Sequence, residues 1–400
     1  MKKLTVLIFI SLFLTAGCTK YNFGRTEINK ILFVNAVGID KAEDGSDDII
    51  VSSATKNIKP ASGSIGESSD SKTKANILTS RGATNAEAIR NLSAFSDKRV
   101  FYGHAEYILV GENAAKDDML KYIDLFNRDH EIRLNSKVLI VKGNTALCAL
   151  REIGNEDIFV GDLLESLLSN KDKLSISDEI HIVDTMNMFD YPYMSPYIPC
   201  IEIVSGNYED SGEQSNIDRL KLSGFALFKG EKLFGYITDR MARGFNWVRG
   251  KIRSGIIVVK EPGGQSVSLE ITESKTKIIP KLTGGKLSIA INIRLSTNVI
   301  SIKGTKNIFK KDILDYLENQ QEETVKKEAE DILSFAKENN MDIFPISYEV
   351  YRKYPVLWES IKNDWNKIFP DLKISVNIDS VINRTYDIEE PIRSGYGVEK

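Results

Sequence analysis

Apolar and polar positions divide the chain into an apolar leader and two longer patterned regions. Leu4 to Leu14 is apolar apart from Thr5 and Ser11, with Lys2 and Lys3 ahead of it and Thr15-Ala16-Gly17-Cys18 behind. A positive start, an apolar run and small residues at a cleavage point predict an export signal over residues 1–17, cut between Gly17 and Cys18. The run of about eleven residues falls short of the roughly twenty that a spanning helix needs, so a transmembrane anchor is the weaker alternative. Residues 18–29 are short and polar and read as a tether.

Region 30–205 alternates strand and helix patterns. Ile31 to Ile39 is β-branched and apolar and predicts a buried strand, Asp40 to Asp48 an acidic turn, and Ile49 to Thr55 the partner strand. Lys59 to Lys74 is Ser, Gly, Asp and Lys with almost nothing apolar, and reads as a mobile loop. Thr84-Asn85 can cap a helix carrying Ala88, Ile89, Leu92 and Phe95. Glu106 to Val110 (strand), Asn113 to Phe126 (helix) and Lys137 to Val141 (strand) resemble a βαβ unit with parallel strands. A helix at Leu163 to Leu168 follows, then the Pro-rich stretch Tyr191 to Pro199.

Polar residues predominate from Gly206 to Asn216, which places a linker at 206–217 and a C-terminal domain at 218–386, ahead of a tail at 387–400. That domain opens with a hairpin, Leu220 to Phe228 and Leu233 to Ile237, and Asp239 can cap a short helix to Val248. Gly255 to Lys260, Ser266 to Thr272, Lys275 to Ile279 and Lys286 to Leu295 read as successive strands. Phe309 to Lys337 predicts one long helix with Ile313, Leu317, Val325, Ala329, Ile332, Leu333 and Ala336 on its apolar face. Two more helices, Tyr348 to Tyr354 and Pro355 to Phe369, precede a last strand, Leu372 to Ile382. The expected fold is a multidomain α+β protein with mixed sheets flanked by helices. Its C-terminal domain is an antiparallel-rich sheet packed by a long helix and two shorter ones.

Composition narrows the function. The 400 residues carry a net charge of −3 with no basic excess, which argues against a nucleic-acid partner. Beyond Cys18 only Cys148 and Cys200 remain, too few for a disulfide framework. Cys148, within Ala146-Leu147-Cys148-Ala149-Leu150, reads as a buried small hydrophobe. His104, His130 and His181 show no metal-ligand spacing, so neither a metal nor a cofactor is expected, and His104 reads as a structural hydrogen bonder to loop backbone. Gly244 to Gly250-Lys251 fails as a phosphate-binding loop, with five residues between the glycines and Ile252 where a hydroxyl is needed. No Gly-x-Ser-x-Gly nucleophile elbow occurs.

Small residues ending in Cys18 directly after the apolar run resemble a bacterial lipobox, with Thr15 where Leu is usual. The implied modification is a diacylglyceryl group on the Cys18 thiol; one acyl chain holds a protein on a membrane only marginally, and two give stable anchoring. Further combinations resemble the Ger(x)C family, the lipoprotein C subunits of spore germinant receptors. They are Glu27-Ile28-Asn29 with Val37-Gly38-Ile39-Asp40, Phe101-Tyr102-Gly103-His104, and Asn127-Arg128-Asp129 with Glu131-Ile132-Arg133. In the second half they are Gly224 to Gly230, Arg243-Gly244 with Trp247, Gly250-Lys251, Ser254-Gly255, Asp342-Ile343-Phe344, and Tyr351 to Trp358 followed by Trp365 and Phe369-Pro370. Ala242, where Thr is common, and Asn22, in a tether that often carries Trp or Asp, depart from the pattern.

The resemblance implies a non-enzymatic subunit on the outer face of the spore inner membrane. It would act beside two multi-pass membrane subunits in the response to small nutrients. Two other functions are weighed against this one: an anchored solute-binding protein that captures a nutrient between two lobes, and an exported hydrolase, which would need two positioned carboxylates in a cleft. Arg243 and Trp247, four apart on one helix, share a face and invite a cation–π contact. Gly244 between them suggests close approach of another backbone. Internal packing and an exposed interface anchor are both open for Arg243.

Overall fold

The structure, a computed structural model, describes residues 27–56, 76–155, 159–210, 213–303 and 310–383. Cys18, Gly17 and the leader, the 59–74 loop and the 387–400 tail lie outside the described residues.

The first sheet is built on β1 (Ile31–Lys41), β5 (Tyr107–Gly111), β6 (Lys137–Lys142) and β7 (Tyr197–Asp210), which run parallel to one another. Tyr107 to Gly111 is buried along its whole length, as expected for parallel strands covered on both faces. Antiparallel strands β2 (Ile49–Lys56) and β3 (Asn76–Gly82) extend one edge. On the other edge are β8 (Glu213–Lys229) and β9 (Lys232–Ile237), and β4 (Arg99–Phe101) pairs with the start of β1. One face packs on α1 (Asn85–Asn91), α2 (Glu112–Asp117), α3 (Met119–Arg128) and α7 (Ile182–Asp190). The opposite face packs on α4 (Ala146–Asn155) and α5 (Val160–Ser169), and α6 (Lys171–Leu174) is a single turn after α5. Thr84 caps α1 by accepting from Glu87 N–H at 3.2 Å.

The second sheet has the order β10 (Ile256–Lys260), β11 (Ser266–Thr283), β12 (Lys286–Ile302), β13 (Lys373–Asn383). The first three are antiparallel, and β13 runs parallel to β12, because α9 (Lys311–Glu338) returns the chain to the starting end. Leu317, Val325, Ala329, Ile332, Leu333 and Ala336 of α9 are buried. They share a core with this sheet, with α8 (Asp239–Arg249), α10 (Ile346–Lys353), α11 (Pro355–Ile361) and α12 (Trp365–Asp371), and with Phe225, Leu227 and Ile237 of the first sheet.

Several expectations need correction. The predicted linker at 206–217 is the tip of the β7–β8 hairpin, where Gly206 pairs with Ile217 and Asn207 with Asn216. Polar side chains do not prevent this, since the ladder is made by backbone groups. β8 and β9 therefore complete the first sheet. The helix expected over 113–126 breaks at Asp118, which is extended (φ −164°, ψ 105°) and whose side chain accepts from Lys121 N–H at 3.2 Å. Asp239 is not a cap: Thr238 holds that position, and Asp239 is the first helical residue with φ 47°. The strands expected at 266–272 and 275–279 are one, with a register shift between Ile271 and Glu273. The expected helix 355–369 is interrupted at Lys362–Asp364. Cys148 is exposed and Cys200 is buried, both as free thiols. Cys148 lies off the stripe that α4 buries, Ala146, Ala149, Leu150 and Ile153. His104 is exposed and packs edge-on against Phe33 at 5.2 Å and Phe101 at 6.1 Å.

Candidate functional site

Helix α8 carries the predicted residues Arg243, Gly244 and Trp247, and it is buried on nearly every side. Ala242, Gly244, Phe245, Asn246, Trp247 and Val248 are all buried, because α8 lies where the first sheet, the second sheet and α9 meet. Gly244 makes the approach to α9 possible: a Cβ there would stand 2.1 Å from the backbone oxygen of Glu328. Gly250 ends the helix in the left-handed region (φ 68°) with its N–H donating to Trp247 O at 3.2 Å.

Glu328 is the centre of the arrangement. Arg243 Nε donates to its Oε2 at 2.8 Å, and Arg243 Nη2 pairs with its Oε1. Trp247 Nε1 donates to the same Oε2 at 3.1 Å. Arg243 Nη1 also reaches Ile256 O at 3.0 Å, fixing the first residue of β10. Arg243 and Trp247 thus meet on one carboxylate, and the contact is a hydrogen-bonded ion pair in place of the expected stacking. The side chains of Arg243 and Glu328 are 20% and 7% exposed, so the pair is largely removed from water.

The other side of α8 ties it to the first half of the chain. Arg249 lies over the rings of Tyr197 (4.5 Å) and Phe245 (4.8 Å) and pairs with Asp178 at 2.9 Å. Asn246 Nδ2 donates to Ser175 O at 3.0 Å and Ser177 O at 3.2 Å. Glu328 and Asp178 were missed in the sequence. Glu328 had a signal: it falls three residues after Val325 and four before Ile332, on the stripe that α9 buries.

Beside α8 a cleft of about 530 Å3 opens between α8, α9 and β10, with Arg240, Lys327 and Asp331 on its walls and Arg243 and Glu328 within it. Two motif aspartates, Asp40 and Asp342, lie elsewhere and serve as backbone acceptors. Asp40 accepts from Ala146 N–H (2.7 Å) and Leu147 N–H (2.9 Å) at the start of α4. Burial pushes its carboxyl up to about 6 against those donors. Asp342 accepts from Phe344 N–H (3.3 Å), Ser347 N–H (3.0 Å) and Trp365 Nε1 (3.2 Å). Burial pushes it up to about 7. Among the described residues no group of His, Cys, Asp and Glu is placed to hold a metal ion.

Residues 24–203 match the spore germination protein N-terminal domain, and residues 223–386 match the C-terminal domain described as spore germination B3/GerAC like. The chain belongs to the Ger(x)C family. The two matched segments meet across the β7–β8 hairpin, so in this Ger(x)C protein the division between them falls inside a continuous sheet. Among similar proteins, spore germination protein KC of Bacillus subtilis (strain 168) is 23% identical over 98% of this chain and 97% of its own length. Spore germination protein B3 of the same organism is 24% identical over 94% of this chain and 96% of its own length. A crystal structure of the GerBC protein shares the fold, with a TM-score of 0.52 and 20% identity over 87% of this chain and 98% of that one. The Ger(x)C chain is thus an α+β protein with a mixed first sheet and a second sheet packed by a long helix.

Proposed function

We propose that the chain is a membrane-anchored lipoprotein subunit of a spore germinant receptor. In this reading it is required for the nutrient-triggered response, has no enzymatic activity, and works through contacts with two multi-pass membrane subunits. The match of both halves to spore germination domains carries the proposal. The leader ending in Gly17-Cys18 supports the anchor: no described helix is long and apolar enough to cross a membrane, and a lipid on Cys18 would hold the chain at the outer face of the spore inner membrane. The polar groups of α8 and α9 favour a contact protein over an enzyme, since the Glu328 carboxylate is already engaged by Arg243 and Trp247.

The second reading, a solute-binding subunit that captures a nutrient, is favoured by one observation: the α8–α9–β10 cleft carries both signs of charge, Arg240 and Lys327 against Asp239 and Asp331. The first reading is tested by purifying the tagged chain from dormant-spore membranes beside a Cys18→Ala variant. The parent should bring down two multi-pass proteins, and the variant should be soluble or uncleaved and inactive. A variant that stays tightly membrane-bound would make Leu4 to Leu14 the anchor instead, and a parent that purifies alone would refute the receptor role.

A further inference from the structure

One end of the second sheet projects as a two-stranded overhang. β13 begins at Lys373, opposite Ser288, whereas the β11–β12 ladder runs on to Leu282↔Leu287 and Thr283↔Lys286. The turn is Gly284-Gly285, with φ of 55° and 74°, as a two-residue hairpin with both central residues left-handed requires. A Cβ at either glycine would meet nothing within 4 Å. Every residue from Lys281 to Lys286 is exposed, Leu282 among them at 42%.

The ground around the overhang is basic. Lys281, Lys286, Lys367 and Lys373 line one shallow cleft of about 790 Å3, with Asp371 as its acid. Asp364 pairs with Lys367 at 2.7 Å, but among the described residues Lys281, Lys286 and Lys373 have no ion-pair partner. Lys353 Nζ donates to Pro280 O at 2.7 Å and so holds the α10–α11 joint against the base of the overhang.

We propose that this overhang is a contact surface for an anionic phospholipid membrane. The chemistry favours lipid over protein. The cations are lysines, compact hydrated charges that are depleted in protein interfaces, where Arg, Tyr and Trp dominate. The exposed apolar group of the overhang is a single aliphatic side chain, Leu282, suited to the boundary between headgroups and acyl chains. Lysines close to an anionic leaflet each raise partitioning about fivefold at low salt. The surface belongs to the folded chain and needs no lipid on Cys18, so it stands apart from the anchor proposed above.

The test is co-sedimentation of the chain from Thr19 onward, which retains every side chain of the three cores, Val34 to Ile382. The vesicles are phosphatidylglycerol mixed with phosphatidylcholine, and phosphatidylcholine alone. Binding should occur to the anionic vesicles only and should disappear at high salt. The Lys281→Ala/Lys286→Ala/Lys373→Ala variant should bind about a hundredfold more weakly. Leu282→Asp should also weaken binding, and the circular dichroism of both variants should be unchanged, since these residues lie outside the buried cores. Equal binding by the triple variant, no binding to anionic vesicles, or binding only when the vesicles carry membrane proteins would overturn the proposal, the last pointing to an acidic protein surface. Loss of vesicle binding leaves attachment at Cys18 unaffected, and loss of attachment leaves vesicle binding unaffected, so each proposal can fail alone.

Discussion

Gly244→Ala is the sharpest probe of the α8–α9 joint. In an exposed helix the change would stabilise by about 1 kcal/mol, because Ala loses less backbone freedom than Gly on folding. Here the new methyl would stand 2.1 Å from Glu328 O and 3.3 Å from Ile332 Cγ2, where ordinary contact begins at 3.4 Å. The obstacle at 2.1 Å is backbone inside a helix of 28 residues, so it cannot rotate away. The two helices must part locally by about 1.3 Å, a gap that forfeits much of the dispersion attraction between them. Overpacking of this kind costs about 1–3 kcal/mol. Parting the helices also stretches the Arg243–Glu328 pair, whose complete loss would cost about 3–5 kcal/mol. Taking the upper overpacking cost and a fraction of the pair, less the propensity gain, gives a net destabilisation of about 3 kcal/mol. With a urea slope of about 3 kcal/mol per molar for a large chain, the midpoint should fall by about 1 M. Tryptophan fluorescence is the suitable readout, because Trp247, Trp358 and Trp365 all lie in the core that joins the two sheets. A midpoint that stays level or rises would refute a tight approach at Gly244.

Three further outcomes are expected. Arg243→Ala leaves Glu328 buried with only Trp247 as a side-chain partner, so the melting temperature should fall together with recovery of membrane partners; an unchanged melting temperature with partner loss would instead make Arg243 an interface anchor. Folded Asp40 and Asp342 keep a proton that the unfolded chain releases near pH 4, so stability should decline as pH rises from about 4 through about 6 and about 7, on the order of 1.4 kcal/mol per pH unit per group. Asp342→Asn should flatten the upper part of that decline, and an unchanged profile would show that Asp342 is ionised throughout. The chain from Thr19 onward should give no saturable isotherm with amino acids or sugars in the micromolar range, and a clear isotherm would favour the solute-binding reading.

Elements whose side chains alone determine their setting were legible in the sequence. The β-branched runs at 31–39 and 137–141 and the apolar stripe of α9 correspond to observed elements within a few residues. Elements that depend on a distant partner were not. β3 has no strong apolar pattern and is held by β2. The polar 206–217 segment is a strand pair because the ladder continues there, which composition cannot reveal. At α8 the cost of glycine within a helix did reveal that something must come close, but the partner Glu328, 85 residues from Arg243, is far away in sequence.

Four motif positions that carry the family resemblance serve as joints. Asp40 holds α4, Asp342 holds α10 and α12, Gly244 lets α8 meet α9, and Gly224 is left-handed (φ 89°), with a Cβ there only 2.0 Å from Ile237 O. Joint residues specify a fold, and a fold shared at 20% identity with the GerBC structure needs little more. They do not specify a surface, because they are buried or engaged by backbone. Other motif side chains face solvent, among them Ile28 at 69%, His104, Tyr351 at 46% and Val356 at 86% exposure. Single exposed aliphatic side chains are normal on a protein surface, so such a position marks a contact only where charge gathers beside it, as Lys281 and Lys286 do beside Leu282 on the two-stranded overhang.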